Sequence, residues 1–74
     1  MSRTLNVLKP GESARIYDID EKSSMKRRLL DLGFTPETEV KCTGISPLGD
    51  PKAFLIKNTI IALRKDDSKF VYIK

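Results

Sequence analysis

The stretch RRLLDLGF, residues 27–34, combines a helical pattern with the signal that ends a helix. Gly33 suits the left-handed conformation of the residue after a last helical turn, because glycine has no Cβ. Phe34 comes next and is placed to fold back onto Leu29, the apolar contact that accompanies this kind of ending. The stretch therefore predicts the end of a helix that spans residues 24–32.

Apolar residues at i, i+4 and i+7 form the inner face of this helix: Met25, Leu29 and Leu32. Four charged residues also lie on the helix: Lys26, Arg27, Arg28 and Asp31. Asp31 stands in the last turn, where an acidic side chain opposes the helix dipole, and arginine is enriched at interface hot spots. The four residues are therefore a candidate partner-binding surface. The alternative is an ordinary solvated helix face.

Short β-rich segments separated by turn residues make up the rest of the chain. The predicted strands are residues 13–19, 38–45, 52–57, 59–64 and 69–73. The apolar alternation slips after Tyr17, which predicts a bulge or a bend. Five short strands with frequent turn signals are typical of a small barrel. The predicted fold is mainly β, a five-stranded barrel with one short helix between the first and second strands. Its expected core residues are Ile16, Leu29, Val40, Phe54, Ile56, Ile61, Leu63, Val71 and Ile73.

The loop at residues 46–51 has the composition of a stiff connection. Two prolines and a glycine restrict its backbone, and we expect the side chain of Leu48 to be exposed. A preorganised loop loses less entropy on docking, so this loop is a second candidate contact. Its members are Pro47, Leu48, Gly49, Asp50 and Pro51. The alternative is a tight connection between two strands with no further role.

The length of 74 residues allows one domain, residues 1–74. The formal net charge is +4, but acidic and basic residues are interspersed, which favours a solvated mixed surface over a nucleic-acid stripe. A small-barrel nucleic-acid binder stays as an alternative, because such barrels often bind RNA or single strands. The N-terminal residues show no signal-peptide pattern, and one lone cysteine, Cys42, fits a reducing compartment. We therefore expect a cytoplasmic protein.

The sequence lacks the residues that several kinds of catalytic and metal-binding site require. The chain has no histidine and no Cys-x-x-Cys pair, which excludes histidine-dependent triads and the common structural zinc patterns. It has no G-x-x-x-x-G-K-[ST] motif, so it is not a P-loop nucleotidase. Acidic residues near Asp20 and Asp66 are of the type that binds hard cations, but solvated turns explain them as well. We expect Cys42 to fill the core and the protein to have no enzyme activity and no evident cofactor.

The order of the motifs resembles one known family. A Pro-Gly turn with Glu12 and Ile16 comes first, and RRLLDLGF, the Pro36 turn, PLGDP and IALRK follow. This order, which covers nearly the whole chain, is similar to the ferrous iron transport protein A family, FeoA. The resemblance implies an SH3-like barrel in the bacterial cytoplasm, related to the C-terminal domain of iron-dependent repressors. Glu37 and Asn58 stand where that family usually has glycine, so we expect a type I turn at Glu37, which needs no glycine.

The resemblance also implies a function. FeoA proteins accompany FeoB, a ferrous iron permease with a cytoplasmic G domain, and are thought to modulate it. The expected function is thus a non-enzymatic accessory role in ferrous iron uptake, with docking on the G domain or the membrane part of FeoB through the helix and loop residues named above. We expect contact with the membrane only through that partner, no nucleic-acid binding, and weak or indirect ferrous iron binding at most. Homo-oligomers stay open, and a metal-sensing module is the remaining alternative.

Overall fold

The computed structural model describes residues 3–74, which form a mainly β protein with two short helices. In chain order the elements are β1 (Arg3–Thr4), a 3-10 turn (Leu5–Val7), β2 (Ser13–Ile19), α1 (Lys26–Leu32), β3 (Glu39–Ile45), β4 (Lys52–Ile56), β5 (Thr59–Leu63), α2 (Lys65–Ser68) and β6 (Val71–Ile73). The strands pair antiparallel in one open sheet of order β1-β6-β2-β3-β4-β5. Met1 and Ser2, which belong to the expected domain, lie outside the described residues.

The observed sheet differs from the predicted five-stranded barrel at both ends of the chain. The additional strand β1 pairs with β6, so residues 3–74 contain six strands and α1 lies between the second and third of them. The last predicted strand, residues 69–73, begins two residues too early, and the polar segment before it forms the helical turn α2. Strands of two or three residues and single helical turns are too short to give a periodic pattern.

The segment between β1 and β2 belongs to the core, which the sequence analysis did not predict. Leu5 and Leu8 are almost completely buried. The ammonium group of Lys52, on β4, donates to the carbonyl oxygens of Asn6 and Leu8 at 2.7 and 2.8 Å. One lysine therefore satisfies two backbone acceptors and fastens this segment to the sheet.

Strand β2 changes its partner along its length. Its first three residues pair with β3, and the residues from Ile16 onward pair with β6. The register with β6 shifts between Ile16 and Asp18, which confirms the irregularity predicted from the slip after Tyr17. A bulged strand bends and twists more strongly, so β2 can serve both halves of the sheet.

The end of α1 has the geometry that RRLLDLGF predicts. Gly33 has a φ of +112°, and its N–H donates to the carbonyl of Leu30 at 3.1 Å. The N–H of Phe34 donates to the carbonyl of Leu29 at 3.0 Å, and these two bonds together form a Schellman ending. Phe34 and Leu29 are fully buried and belong to the same hydrophobic core, as the predicted apolar contact between them requires. The helix begins at Lys26, two residues later than predicted.

The hydrophobic core joins strand residues to α1. Every predicted core residue is buried except Ile61, which is partly buried and packs against the others. Cys42 is also buried, as expected. The structure adds four apolar residues, Leu5, Leu8, Ala14 and Ile19, and also places Phe34 in the core, which was predicted to contact Leu29 but not among the core residues.

The turn before β3 is not the type I turn that we expected. Glu37 has a φ of +71°, and the N–H of Thr38 donates to the carbonyl of Thr35 at 3.2 Å, which makes the turn type II. The backbone of Glu37 is held on both sides: its N–H donates to the carbonyl of Ile16 at 2.8 Å, and its carbonyl accepts from the guanidinium of Arg15 at 3.0 Å. These bonds to β2 select a conformation that glutamate disfavours on its own.

We expect the Glu37→Gly variant to be more stable than Glu37→Ala by about 1 kcal/mol, because alanine has a Cβ penalty in the left-handed region and glycine has none. Both variants lose the ion pair of Glu37 with Lys74, so the difference isolates the backbone. Chemical unfolding monitored by circular dichroism measures it. At Glu39, an exposed strand residue, the order of the two variants should reverse. Equal stability of the two Glu37 variants would contradict the positive φ.

Candidate functional site

Three of the four charged residues predicted on α1 are free for a partner. Arg27, Arg28 and Asp31 are exposed, and the three ion pairs within residues 3–74 do not include them. Arg27 and Asp31 stand at i and i+4, in the order that stabilises a helix less, and they do not pair. No ion pair within residues 3–74 therefore accounts for these charges.

Lys26, the fourth predicted residue, has a structural contact. Its ammonium group pairs with the carboxylate of Glu21, in the loop between β2 and α1, and the side chain is partly buried. Hydrogen bonding to Glu21 raises the pKa of Lys26. The pair fastens the first turn of α1 to the preceding loop, so Lys26 contributes to the position of the neighbouring arginines.

The loop between β3 and β4 is closed by its own hydrogen bonds, and its Leu48 side chain is exposed to solvent. The N–H of Gly49 donates to the carbonyl of Ser46 at 2.7 Å, and the N–H of Ser46 donates to the carbonyl of Pro51 at 3.1 Å. Leu48, at the tip, is 93% exposed. The predicted exposure is confirmed, and the loop presents one apolar side chain on a fixed backbone.

Asp50 connects this loop to α2. Its carboxylate accepts the N–H of Lys65 at 2.8 Å, at the start of α2. Beside the loop lies a groove of about 290 Å³, whose walls include Ile45, Asp50, Lys52 and Lys65. The sequence analysis missed this groove because it depends on α2 and on the N-terminal segment, and neither was predicted.

The two predicted contact regions lie at opposite ends of β4. The Leu48 loop precedes this strand, whereas the turn that follows it, Lys57-Asn58, lies against the end of α1. A Cβ placed on Gly33 would be 3.0 Å from Cδ of Lys57. Five strand residues separate the two ends, which is about 15 Å. The end of α1 and the candidate loop residues therefore lie near opposite ends of β4.

The acidic residues near Asp20 are engaged within the protein. Asp18 accepts the N–H of Ile19, Asp20 accepts the N–H of Lys22, both at 2.8 Å, and Glu21 pairs with Lys26 as described above. Within residues 3–74, no three histidine, cysteine, aspartate or glutamate side chains come together in a way that could hold a metal ion. The arrangement fits solvated and self-paired turns.

A tyrosine in β6 holds the carboxylate of Asp20. The hydroxyl of Tyr72 donates to Oδ2 of Asp20 at 2.6 Å. This hydrogen bond, with support from the N–H of Lys22, lowers the pKa of Asp20. The same bond raises the pKa of Tyr72. The contact joins β6 to the loop that leads into α1. No sequence pattern predicts it, because the two residues lie 52 positions apart.

We expect Tyr72→Phe to raise the pKa of Asp20 towards its ordinary value. A carboxylate with a lowered folded-state pKa stabilises the protein above the unfolded-state value of about 4, and this stabilisation disappears as the pH falls through the folded-state pKa. The variant should therefore lose less stability than the natural protein when the pH falls below about 4. NMR titration of the Asp20 carboxyl group measures the shift. Tyr17→Phe, at a half-exposed tyrosine, is the control, and an equal Asp20 pKa in all three proteins would contradict the contact.

Residues 3–74 match the family model of the FeoA domain. The chain belongs to the FeoA family. This membership confirms the resemblance that the order of the sequence motifs indicates. A comparison with curated protein sequences found no match. In the part of the chain that the structure describes, no helix has the length and apolar character needed to cross a membrane.

Solved structures of other proteins share the fold. An FeoA-like protein from Clostridium acetobutylicum is 26% identical with a TM-score of 0.89, over 99% of this chain and 85% of that one. FeoA from Stenotrophomonas maltophilia, an SH3 domain protein solved in complex with zinc, is 29% identical with a TM-score of 0.86, over 96% and 88% of the two chains. A manganese-dependent transcriptional repressor is 12% identical with a TM-score of 0.85, over 99% of this chain and 36% of that one. The last similarity shows the fold alone, which this chain shares with part of a manganese-dependent repressor.

Proposed function

We propose that this protein is a non-enzymatic accessory factor of ferrous iron uptake, which docks on a FeoB-type permease in the cytoplasm and modulates it. The observation that carries the proposal is the match of residues 3–74 to the FeoA domain. A role as a ferrous iron transport activating factor has been suggested for the Stenotrophomonas maltophilia relative. Contact with the membrane is then made through the permease.

The first contact is the exposed charge on α1. Arg27 and Arg28 have no partner within the described chain, and a guanidinium group binds a carboxylate through two parallel hydrogen bonds. Asp31, one turn further, repels a second carboxylate and favours a basic group at that point. The three charges together therefore favour one orientation of an acidic partner surface.

The second contact is the Leu48 loop. Its internal hydrogen bonds already fix the backbone, so docking costs little further loop entropy. Leu48 would enter an apolar pocket of the partner, with Pro47 and Pro51 beside it. Because the two contacts lie at opposite ends of β4, the partner must meet both ends of the strand. A partner that offers both sites in only one of its conformations is shifted towards that conformation by binding.

Charge reversal and polar substitution test the two contacts. We expect Arg27→Glu and Leu48→Asp each to weaken docking by about thirtyfold or more, the size of a hot-spot residue. Their effects should be independent, because the sites are well separated. Ferrous iron uptake in a bacterial strain that carries each variant as its only copy provides the measurement, with circular dichroism of each purified variant to confirm folding.

Lys41→Glu is the matched control, because Lys41 is an exposed residue of β3 outside both contacts. This variant has the same change of charge as Arg27→Glu and should leave uptake unchanged. Full uptake in the folded Arg27→Glu and Leu48→Asp double variant would show that the proposed contacts are wrong. Equal loss in the Lys41 variant would show that only net charge matters.

A further inference from the structure

The free edge of β5 is an uncharged strand that lacks the usual protection. Within residues 3–74, β5 pairs with β4 alone and is therefore an edge strand of the sheet. Its sequence, TIIAL, contains no charge and no proline, although charged residues and proline normally protect an exposed edge from pairing with another strand. Ile60 is 65% exposed, and Ala62 is also exposed.

The register shows which backbone groups the edge offers. Lys57 and Asn58 have φ values of +48° and +64°, so β4 and β5 are joined by a two-residue type I′ turn. In such a hairpin the residues next to the turn form a hydrogen-bonded pair, and bonded and non-bonded pairs then alternate. The N–H and C=O groups of Ile60 and Ala62 therefore point away from β4, towards the open edge.

The charges around the edge discriminate between possible occupants. Lys57 lies before β5, and Arg64 and Lys65 follow it, and all three are exposed. A second copy of the chain, paired antiparallel and centred on Ile61, would bring the turn that carries Lys57 of each copy towards the end of β5 that precedes Arg64 and Lys65 of the other. Like charges that meet across a strand pair destabilise it, whereas acidic residues on both sides of the added strand would stabilise it.

We propose that the free edge of β5 binds an extended segment of another protein by strand addition, and that this segment carries acidic residues on both sides of a short uncharged core. The backbone groups of Ile60 and Ala62 provide the hydrogen bonds. Lys57, Arg64 and Lys65 select the acidic flanks, and Ile60 contacts a side chain of the added strand. Strand addition of this kind obtains affinity from the main chain and specificity from the flanking side chains. The backbone groups of Ile60 and Ala62 belong to neither the α1 nor the Leu48 contact, although Lys57 borders the end of α1 and Lys65 is bonded to Asp50 of the Leu48 loop. The inference does not depend on the proposed function.

Amide hydrogen exchange tests the edge directly. In the full-length protein, the amides of Ile60 and Ala62 should exchange faster than that of Ile61, which is bonded to β4. The probe is a synthetic peptide with five alternating valines and threonines between two pairs of glutamates, capped at both ends. At millimolar concentration it should protect Ile60 and Ala62 and shift their NMR signals. The same core between lysine pairs should bind about tenfold more weakly, since the surface charge pairs with Lys57, Arg64 and Lys65 are lost.

Two variants separate edge pairing from other binding. Ala62→Pro removes an N–H that β4 does not use, and proline is tolerated on the solvent side of an edge strand, so the fold should persist while the glutamate peptide no longer binds. Ile60→Lys should also abolish binding if the proline variant does not fold. Protection of other residues, equal binding of the two peptides, unchanged binding to Ile60→Lys, or dimer formation through β5 would each overturn the proposal. None of these peptide experiments contains the permease. A negative result would therefore overturn the β5-edge proposal without affecting the uptake test of the proposed function.

Discussion

Replacing Phe34 by alanine is expected to remove about half of the stability of this protein. Phe34 is fully buried and follows the glycine that ends α1, where it lies in the same core as Leu29. Truncation of a buried phenylalanine costs about 3–5 kcal/mol through lost transfer energy and the cavity that remains. A chain of 74 residues has a total stability of about 4–11 kcal/mol at typical values per residue. Urea unfolding of the purified variant, followed by circular dichroism, measures the loss.

Leu30→Ala is the control for this change. Leu30 lies on the same helix but is 37% exposed, and its truncation should cost about 1 kcal/mol or less, as for most surface substitutions. If the two alanine variants were equally stable, Phe34 would not be the residue that anchors the end of α1. The account of RRLLDLGF as a structural signal would then be wrong.

Lys52→Met is expected to destabilise the protein by about 2 kcal/mol and to release the N-terminal segment. Two hydrogen bonds from a charged donor are lost, and the carbonyl groups of Asn6 and Leu8 lose their partner. Methionine keeps the length and apolar stem of lysine, so packing changes little. In a domain of this size the loss lowers Tm by roughly 10 °C. Calorimetry measures the change in Tm. The N–H of Leu8 donates to Leu5 and closes the 3-10 turn, so faster hydrogen exchange of the Leu8 amide would show that the N-terminal segment is the part released.

Lys41→Met removes a lysine from an exposed position in β3 and serves as the matched control. Its Tm should stay within a few degrees of the natural value, because surface substitutions usually change stability by about 0.5 kcal/mol or less. Equal destabilisation by the two substitutions would contradict the role of Lys52 as the link between β4 and the N-terminal segment. An unchanged Leu8 amide in Lys52→Met would contradict it as well.

Sequence reasoning succeeded where the deciding interactions are local. The end of α1 is determined by Leu29, Gly33 and Phe34, which lie within six positions of one another. Strand β2 was predicted with its correct bounds and its irregularity after Tyr17, because alternation over seven residues is a clear pattern. The N-terminal segment was not predicted because Lys52, more than 40 residues away, stabilises it. The prediction of the turn at Glu37 was wrong because hydrogen bonds to Ile16 and Arg15 select its conformation.

The candidate site shows the same limit. The exposure of Arg27, Asp31 and Leu48 followed from helical spacing and loop composition. The positions of α1 and the Leu48 loop at opposite ends of β4 could not be predicted in this way, since they depend on the order of strands in the sheet. The groove beside the Leu48 loop and the open edge of β5 also depend on that order. Local patterns thus identified which side chains are exposed, and the tertiary structure determined where those side chains lie relative to one another.

An NMR titration of the labelled protein with the purified cytoplasmic domain of its cognate FeoB-type permease tests the central claim most directly. The account predicts two separate groups of shifted amides, one at residues 26–31 and the other at residues 47–51, with a common dissociation constant. Shifts confined to Ile60 and Ala62 would favour the β5 edge over both contacts. An unperturbed spectrum at high partner concentration would contradict docking on this domain.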